Sequence, residues 1–326
     1  MTPLRAAIVG GGRIGAAHAR AIDAAEGVQL VAVCDLDPAR AEALARPRAS
    51  ASAHVSWQAM LEAEDLDLLW VATPPLDHRG PAVAALARGL HLYLEKPIAR
   101  TLEDAEAVVD AARTAYGVCA VGYQWHASDL LDAARQALAG QRLGMLVGRN
   151  FGQAAARPWF VDREQGGGQI LERASHHIDL QRALAGEIAA VEAFAADVAL
   201  SGVNGSAIDD AIALVLQFRS GAVGTVHSVW LREGLPGRYA ADLLAEDAAL
   251  TLELGSAEHR IRGVSGGRTI DAAFGDPMQR SVARFLEAAR RRDRSLVACP
   301  PEDALGTLAV ALACERALAD GMRVTL

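Results

Sequence analysis

Three small sets of residues have types and spacings suited to chemistry. The first is a single side chain: lysine and arginine together number 32, and Lys96 is the only lysine among them. The two cations differ in one relevant way. An ammonium can lose its proton at accessible pH, whereas a guanidinium stays charged above about pH 12. A lone lysine in an arginine-biased chain is therefore a candidate for moving a proton. The second set is Glu172 and His176, four residues apart in a helical pattern, with Asp179 about one turn beyond His176. That spacing puts a carboxylate and an imidazole on one helix face. The third is Gly10-Gly11-Gly12-Arg13-Ile14-Gly15, a GxGxxG run, with Asp35 20 residues beyond Gly15.

Each set has to be held by a local element. The glycine run lies between an apolar strand pattern, "RAAIVG", and a helical pattern over 13 to 25, and Asp35 ends the next strand, 28 to 35. In that setting Gly10 allows a tight turn, Gly12 lets the backbone approach a pyrophosphate, and Gly15 lets helix and strand pack closely. The helix start supplies free N–H groups and positive dipole. Asp35 is expected to accept from the adenosine ribose hydroxyls and to repel a 2′-phosphate. NAD is therefore favoured, with NADP as the alternative because Arg13 and Arg40 lie in segments that could approach such a phosphate. Lys96 closes the strand "HLYLEK", at the carboxyl edge where open parallel sheets bind ligands. Pro97 holds Lys96 in extended backbone.

Further helices follow Asp37-Pro38 and Thr101-Leu102, where Asp37 and Thr101 are expected N-caps. Strands are expected at 66 to 73 and in "VCAVGY". Continuously apolar strands alternating with helices indicate a parallel sheet covered on both faces. Beyond about residue 122 the pattern changes to longer strands with short turns, one of them at "RSGA", 219 to 222. They are interrupted by one helix, roughly 168 to 185, and closed by helices after about 277. This predicts an α/β chain, with a nucleotide-binding domain over 1–122 and an α+β substrate domain over 123–326 on a largely antiparallel open sheet. The segments 47–52, 201–207 and 263–268 are expected to be loops.

Continuing through "VATPPLDHRGPAVAALARGLHLYLEKPIARTLEDAEAVV", the sequence resembles the Gfo/Idh/MocA family of oxidoreductases, which includes glucose–fructose oxidoreductase and inositol 2-dehydrogenase. The resemblance rests on the glycine run, on Thr73-Pro74 with His78, and on Glu95-Lys96-Pro97. It continues through "GGGQILERASHHIDLQRALAGE" (166–187) and "DDAIALVLQFRSGAVGTV" (209–226). It implies an N-terminal Rossmann doubly wound sheet that holds the cofactor through Gly10, Gly12, Arg13, Ile14, Gly15, Asp35, Thr73, Pro74, His78, Glu95 and Lys96. It also implies a lysine between nicotinamide and substrate, here Lys96, and a helix carrying an acid and a histidine. His176 matches that histidine and is the expected general base. The family's aspartate is replaced by Glu172, one methylene longer, expected to orient substrate or imidazole. Where family members often carry an arginine-aromatic pair, this chain has Gln124-Trp125-His126. Gln124 and Trp125, with Arg157 and Trp159 of "RPWF", are the remaining expected substrate contacts. The resemblance also implies a homodimer or homotetramer built through the exposed face of the second sheet.

The substrate class implied is a polyol, inositol, sugar or sugar derivative. Two other readings remain: glycoside cleavage through transient oxidation by a retained cofactor, and nucleotide sensing by a regulatory protein. Retention of Lys96 and His176 weighs against a sensor, which needs no proton shuttle. A net charge of −8 weighs against a nucleic-acid or anionic-membrane binder. The basic run at 289 to 294 reads as a solvated helix end. Cys34, Cys119, Cys299 and Cys314 have no CxxC spacing, and adjacent His176 and His177 point about 100° apart on a helix, so no metal is expected. Without a secretory leader pattern or a long apolar run, a cytoplasmic location is expected.

Overall fold

The computed structural model describes residues 2–49, 51–153, 162–197, 209–232, 234–255 and 258–326. The chain divides into two compact units, Met1–Tyr123 with Met278–Leu305, and Gln124–Pro277 with Gly306–Leu326. A late stretch thus returns to the first unit, which no cut at a single position can express.

In the first unit six strands form one sheet: β1 (Leu4–Val9), β2 (Val28–Cys34), β3 (Ser52–His54), β4 (Leu68–Val71), β5 (His91–Leu94) and β6 (Cys119–Val121). Their order is β3-β2-β1-β4-β5-β6 with every neighbouring pair parallel, the doubly wound Rossmann arrangement. β4, β5 and β6 are buried along their whole lengths, which accounts for their uninterrupted apolar sequences. Helices α1 (Arg13–Asp23), α2 (Pro38–Ala45), α3 (Trp57–Ala63), α4 (Arg79–Ala87) and α5 (Leu102–Thr114) connect them. Asp37 caps α2 by accepting from the Ala39 N–H at 3.0 Å, and Thr101 caps α5 through the Asp104 N–H at 3.2 Å. Short β3 and α3 were not anticipated. The run read as a loop over 47–52 leads into β3, whose three residues are too few to show a period.

The returning stretch carries a helix, Pro277–Arg291. Its Phe285 meets Trp70 and Tyr93 edge-on, with ring centroids 5.2 and 5.5 Å apart, and Ser281 Oγ lies 2.8 Å from the Tyr93 hydroxyl. Aromatic contacts of this kind add about 0.5–1.5 kcal/mol each beyond the area they bury.

The second unit contains helix α6 (Asp129–Ala137), helix α7 (Ser175–Ala185) and a nine-stranded sheet among the described residues. Its strands are β7 (Leu143–Gln153), β8 (Ile188–Ala196), β9 (Ala211–Phe218), β10 (Val223–Leu231), β11 (Arg238–Ala245), β12 (Ala248–Leu254), β13 (His259–Ser265), β14 (Arg268–Phe274) and β15 (Val324–Thr325). The order is β14-β13-β12-β11-β7-β10-β9-β8-β15; β7 and β10 run parallel and the other neighbours antiparallel. Strands β9 and β10 alternate buried and more exposed residues, as half-covered strands do. The expected hairpin turn joins them, closed by the Phe218 N–H on Ala222 O at 3.0 Å. Most of 263–268, expected to be a loop, is strand; only Gly266 and Gly267 turn, both at positive φ. The expected loop 201–207 lies outside the described residues.

Candidate active site

The glycine loop works through what its side chains lack. Gly10 has φ of +105°, and a Cβ there would lie 2.5 Å from Ala72 O. A Cβ on Gly15 would lie 1.9 Å from Gly10 O, so the turn and helix α1 can close only with glycine at that position. At Gly12 an added Cβ would meet nothing within 4 Å, which leaves room for a large group against the backbone. The first turn of α1 has no acidic side chain, and its N-cap, Gly12, supplies no capping group; Arg13 and Ile14 follow in that turn. Asp35 is aimed by the backbone: its Oδ2 accepts from the Gly11 N–H at 2.7 Å and its Oδ1 from the Asp37 N–H at 2.9 Å. Arg40 pairs with Asp37 at 3.3 Å on the exposed surface.

At the edge formed by β4 and β5, the Lys96–Pro97 peptide bond is cis. Glu95 is 8% exposed. Its Oε1 lies 2.7 Å from His18 Nε2, and its Oε2 accepts from the Lys96 N–H at 3.2 Å. Burial alone would push this carboxyl up. The His18 hydrogen bond and charge, with Lys96 and its N–H, hold it below the usual carboxylate range. Glu95 therefore ties α1 to the strand end that presents Lys96. His78 is wholly buried, with Nδ1 3.0 Å from Pro97 O and Nε2 2.9 Å from Thr73 O. It braces these two segments against each other, and its burial pushes its pKa down against the pull of the Thr73 carbonyl. Thr73 Oγ1 is buried without a hydrogen-bond partner, next to Pro74. The roomy Gly12, the uncapped helix start, the aimed Asp35 carboxylate and the orphaned Thr73 hydroxyl together fit a dinucleotide.

In the second unit the helix expected over 168–185 begins with a π turn, Ile170–Ala174, and continues as α7. Such i→i+5 turns inside helices occur often at functional sites. Between residues 166 and 181 only Glu172 and His176 escape full burial. Trp125, 6% exposed, packs on both histidines, with centroids 5.0 Å from His176 and 4.9 Å from His177. The two histidines differ in surroundings. His177 is fully buried, its pKa lowered to about 3 by desolvation and by the nearby Arg173 and Arg149 charges. Asp179, also buried, lies 3.2 Å from His126 Nδ1 and accepts from Thr307 Oγ1 at 3.3 Å. Gln124 keeps partial exposure beside Trp125. Arg157 and Trp159 lie outside the described residues.

Sequence reasoning missed His18 as the partner of Glu95. The available signal was a histidine three residues past Gly15, on the side of α1 that must pack on the sheet. It also missed the buried run Gln169, Arg173, His177 and Gln181, although polar residues every fourth position in an otherwise apolar helix are visible in the sequence.

A parallel sheet in this strand order, with a glycine turn at the start of α1 and an acid after β2, defines a dinucleotide-binding protein. Models of two domains identify it further: one described as the oxidoreductase family, NAD-binding Rossmann fold, Gfo/Idh/MocA matches residues 4–123, and the Gfo/Idh/MocA C-terminal domain matches 132–242. The chain belongs to the Gfo/Idh/MocA family of oxidoreductases, and NAD is the cofactor of its Rossmann domain. It is similar to levoglucosan dehydrogenase of Pseudarthrobacter phenanthrenivorans, 27% identical over 268 residues, which cover 70% of this chain and 68% of that protein. It is also similar to D-glucoside 3-dehydrogenase of Escherichia coli, 34% identical over 187 residues, 55% of this chain and 53% of that one. The crystal structure of WlbA dehydrogenase from Bordetella pertussis, in complex with NADH and UDP-GlcNAcA, is 25% identical with a TM-score of 0.83, covering 99% of each chain. No helix among the described residues is long and apolar enough to cross a membrane.

Proposed function

We propose that this protein is an NAD-dependent dehydrogenase or reductase acting on a secondary alcohol, or the matching ketone, of a sugar, polyol, inositol or sugar derivative. The observation that carries this reading is that Glu172 and His176 alone are half-exposed in the otherwise buried run 166–181. NAD, when bound, supplies the nicotinamide carbon that accepts or returns hydride. His176 takes the hydroxyl proton during oxidation. Its Nδ1 is buried, which leaves Nε2 as the nitrogen for that task. Lys96 Nζ shares with His176 in handling that proton and polarises the substrate oxygen, and Glu172 orients the substrate or the imidazole. Trp125 offers an apolar wall for a sugar ring, and Gln124 contributes a polar contact. Asp35, already oriented by two backbone amides, accepts from ribose hydroxyls and disfavours NADP.

We further infer a cytoplasmic homo-oligomer. All four cysteines are free and buried, and Met145, Val215, Val223, Leu244 and Val264 leave apolar area exposed on the outward face of the second sheet. The functional test is a panel of levoglucosan, methyl glucosides, inositols, aldoses and sugar acids assayed with NAD and with NADP. Cofactor reduction with at least one member supports the reading. Glycoside cleavage without net cofactor reduction, or no turnover with any member, overturns it.

A further inference from the structure

The helix over 170–185 lies along β7 and β10, the one parallel pair among the described strands of its sheet. The inward positions are Leu146, Gly148, Asn150 and Gly152 on β7, and Gly224, Val226, Ser228 and Trp230 on β10, so three glycines open gaps in that face. Against it stand Gln169, Arg173, His177 and Gln181, each four residues after the last and each no more than 7% exposed. Their contacts run in order along the seam. Gln169 Oε1 accepts from Ser228 Oγ at 2.6 Å. Arg173 Nη2 donates to Asn150 Oδ1 at 2.9 Å and to the Tyr239 hydroxyl at 3.3 Å, and its guanidinium lies 3.9 Å from the Trp230 ring centroid. A Cβ on Gly148 would lie 2.7 Å from His177 Nδ1. Gln181 Nε2 donates to Thr225 O at 2.9 Å, and a Cβ on Gly224 would lie 2.1 Å from Gln181 Oε1.

A helix needs no such stripe to pack on a sheet. Apolar side chains would do so without the desolvation cost of a buried guanidinium and imidazole. What the stripe adds is a single allowed placement. Apolar surfaces can shift or rotate slightly with little loss, whereas a buried donor or acceptor that loses its partner costs about 1–3 kcal/mol; Gln169, Arg173 and Gln181 are held in this way, and His177 by the close fit of its ring over Gly148. Four residues of α-helix overshoot a full turn by about 40°. The wider turn at Ile170–Ala174 takes some of that back, so Gln169 and Arg173 still face the strands. The neighbouring row of the same helix is the one bearing Glu172 and His176.

We propose that Arg173 and His177, seated on Gly148 and Asn150, are positioning residues that set the rotation and slide of this helix and so fix where Glu172 and His176 stand. The proposal rests on reading those two as the proton-handling pair, and its test separates the two claims. The probe is the fastest substrate of the panel above, with NAD affinity measured separately by fluorescence titration. His176→Asn tests the underlying reading: unchanged turnover would remove the basis for both.

Gly148→Ala adds one methyl group and changes no polar group. It is expected to lower kcat about 100-fold, as for a displacement of about 1 Å at a reacting group, while KM and NAD affinity move less than about threefold. His177→Ala alone is expected to cost about tenfold, and the double variant Gly148→Ala/His177→Ala about the same as that single change, because the two contacts under 3.0 Å are gone and only the Gln181 amide, at 3.2 Å, has to give slightly. An unchanged kcat in Gly148→Ala, or additive losses in the double variant, overturns the proposal. Should Gly148→Ala fail to fold, Arg173→Lys and Arg173→Met decide the matter. Arg173→Lys, which keeps the charge and a donor, is expected to retain at least about tenfold more kcat than Arg173→Met, and equal kcat in the two counts against the proposal.

Discussion

The two units hold their chemical groups by different means. In the first, the core is mostly apolar and aromatic, and two of the groups expected to meet the cofactor, the glycine turn and an aspartate held by two amides, stand on backbone features; only the strand end before Lys96 is braced by buried polar side chains, Glu95 with His18 and His78. In the second, the residues expected to do chemistry stand on a helix seated by buried polar side chains over glycine gaps in the strands beneath it. Backbone placement tolerates variation in the surrounding core but no added side-chain atom at a few glycines. Placement through side chains distributes the constraint over several contacts, each of them replaceable in part.

The sharpest break of that contrast comes from Gly15→Ala. With Gly10 O only 1.9 Å from the new Cβ, α1 must move away from the turn, and NAD affinity measured by calorimetry is expected to fall at least about 1000-fold. Next is Lys96→Arg, which keeps the charge but not an easily lost proton. Its kcat is expected to drop about 100-fold with NAD affinity retained, and near-normal turnover would show that Lys96 moves no proton. Asp35→Ser should act on selectivity alone, lowering the NAD-to-NADP ratio of kcat/KM about tenfold; a chain that already prefers NADP would refute the role given to Asp35.

The smallest effect is on stability and belongs mainly to the second unit. Burial lowers the pKa of His177 to about 3 and that of His259 to about 4, both from 6.5. Below pH 6.5 the unfolded chain takes up protons that the folded chain refuses, so stability falls from there towards pH 4. Thermal melts across this range should show Tm declining with pH, and His259→Asn should flatten part of that decline.

The same contrast explains what was legible in the sequence. The glycine run, Asp35, Lys96-Pro97 and the caps Asp37 and Thr101 are local signals, readable over a few residues, and each stands where its pattern indicated. The strand pattern of the second half was readable as well, and so was the hairpin at 219–222. The parallel pairing of β7 with β10 was not, because it joins segments some seventy residues apart and nothing local encodes it. The π turn escaped for another reason: Ile170–Ala174 has ordinary helix-forming residues, and the wider turn depends on what the helix rests against. His18 and Glu95 needed a fold before they could be recognised as partners. The buried stripe is an intermediate case, periodic in sequence but read as background until its glycine-lined counterpart was known.

The return of Met278–Leu305 to the first unit has a consequence for anyone wishing to exchange modules among such enzymes. A cofactor module cut out at residue 123 would leave behind Phe285 and Ser281, stripping the cover from Trp70 and the hydroxyl partner from Tyr93. A chimaera that transplants nucleotide preference therefore has to carry two separate pieces of chain and three junctions, at about 123, 277 and 305, instead of one. Each unit is discontinuous in sequence, and recombination at a single point would expose an aromatic patch before it produced a new specificity.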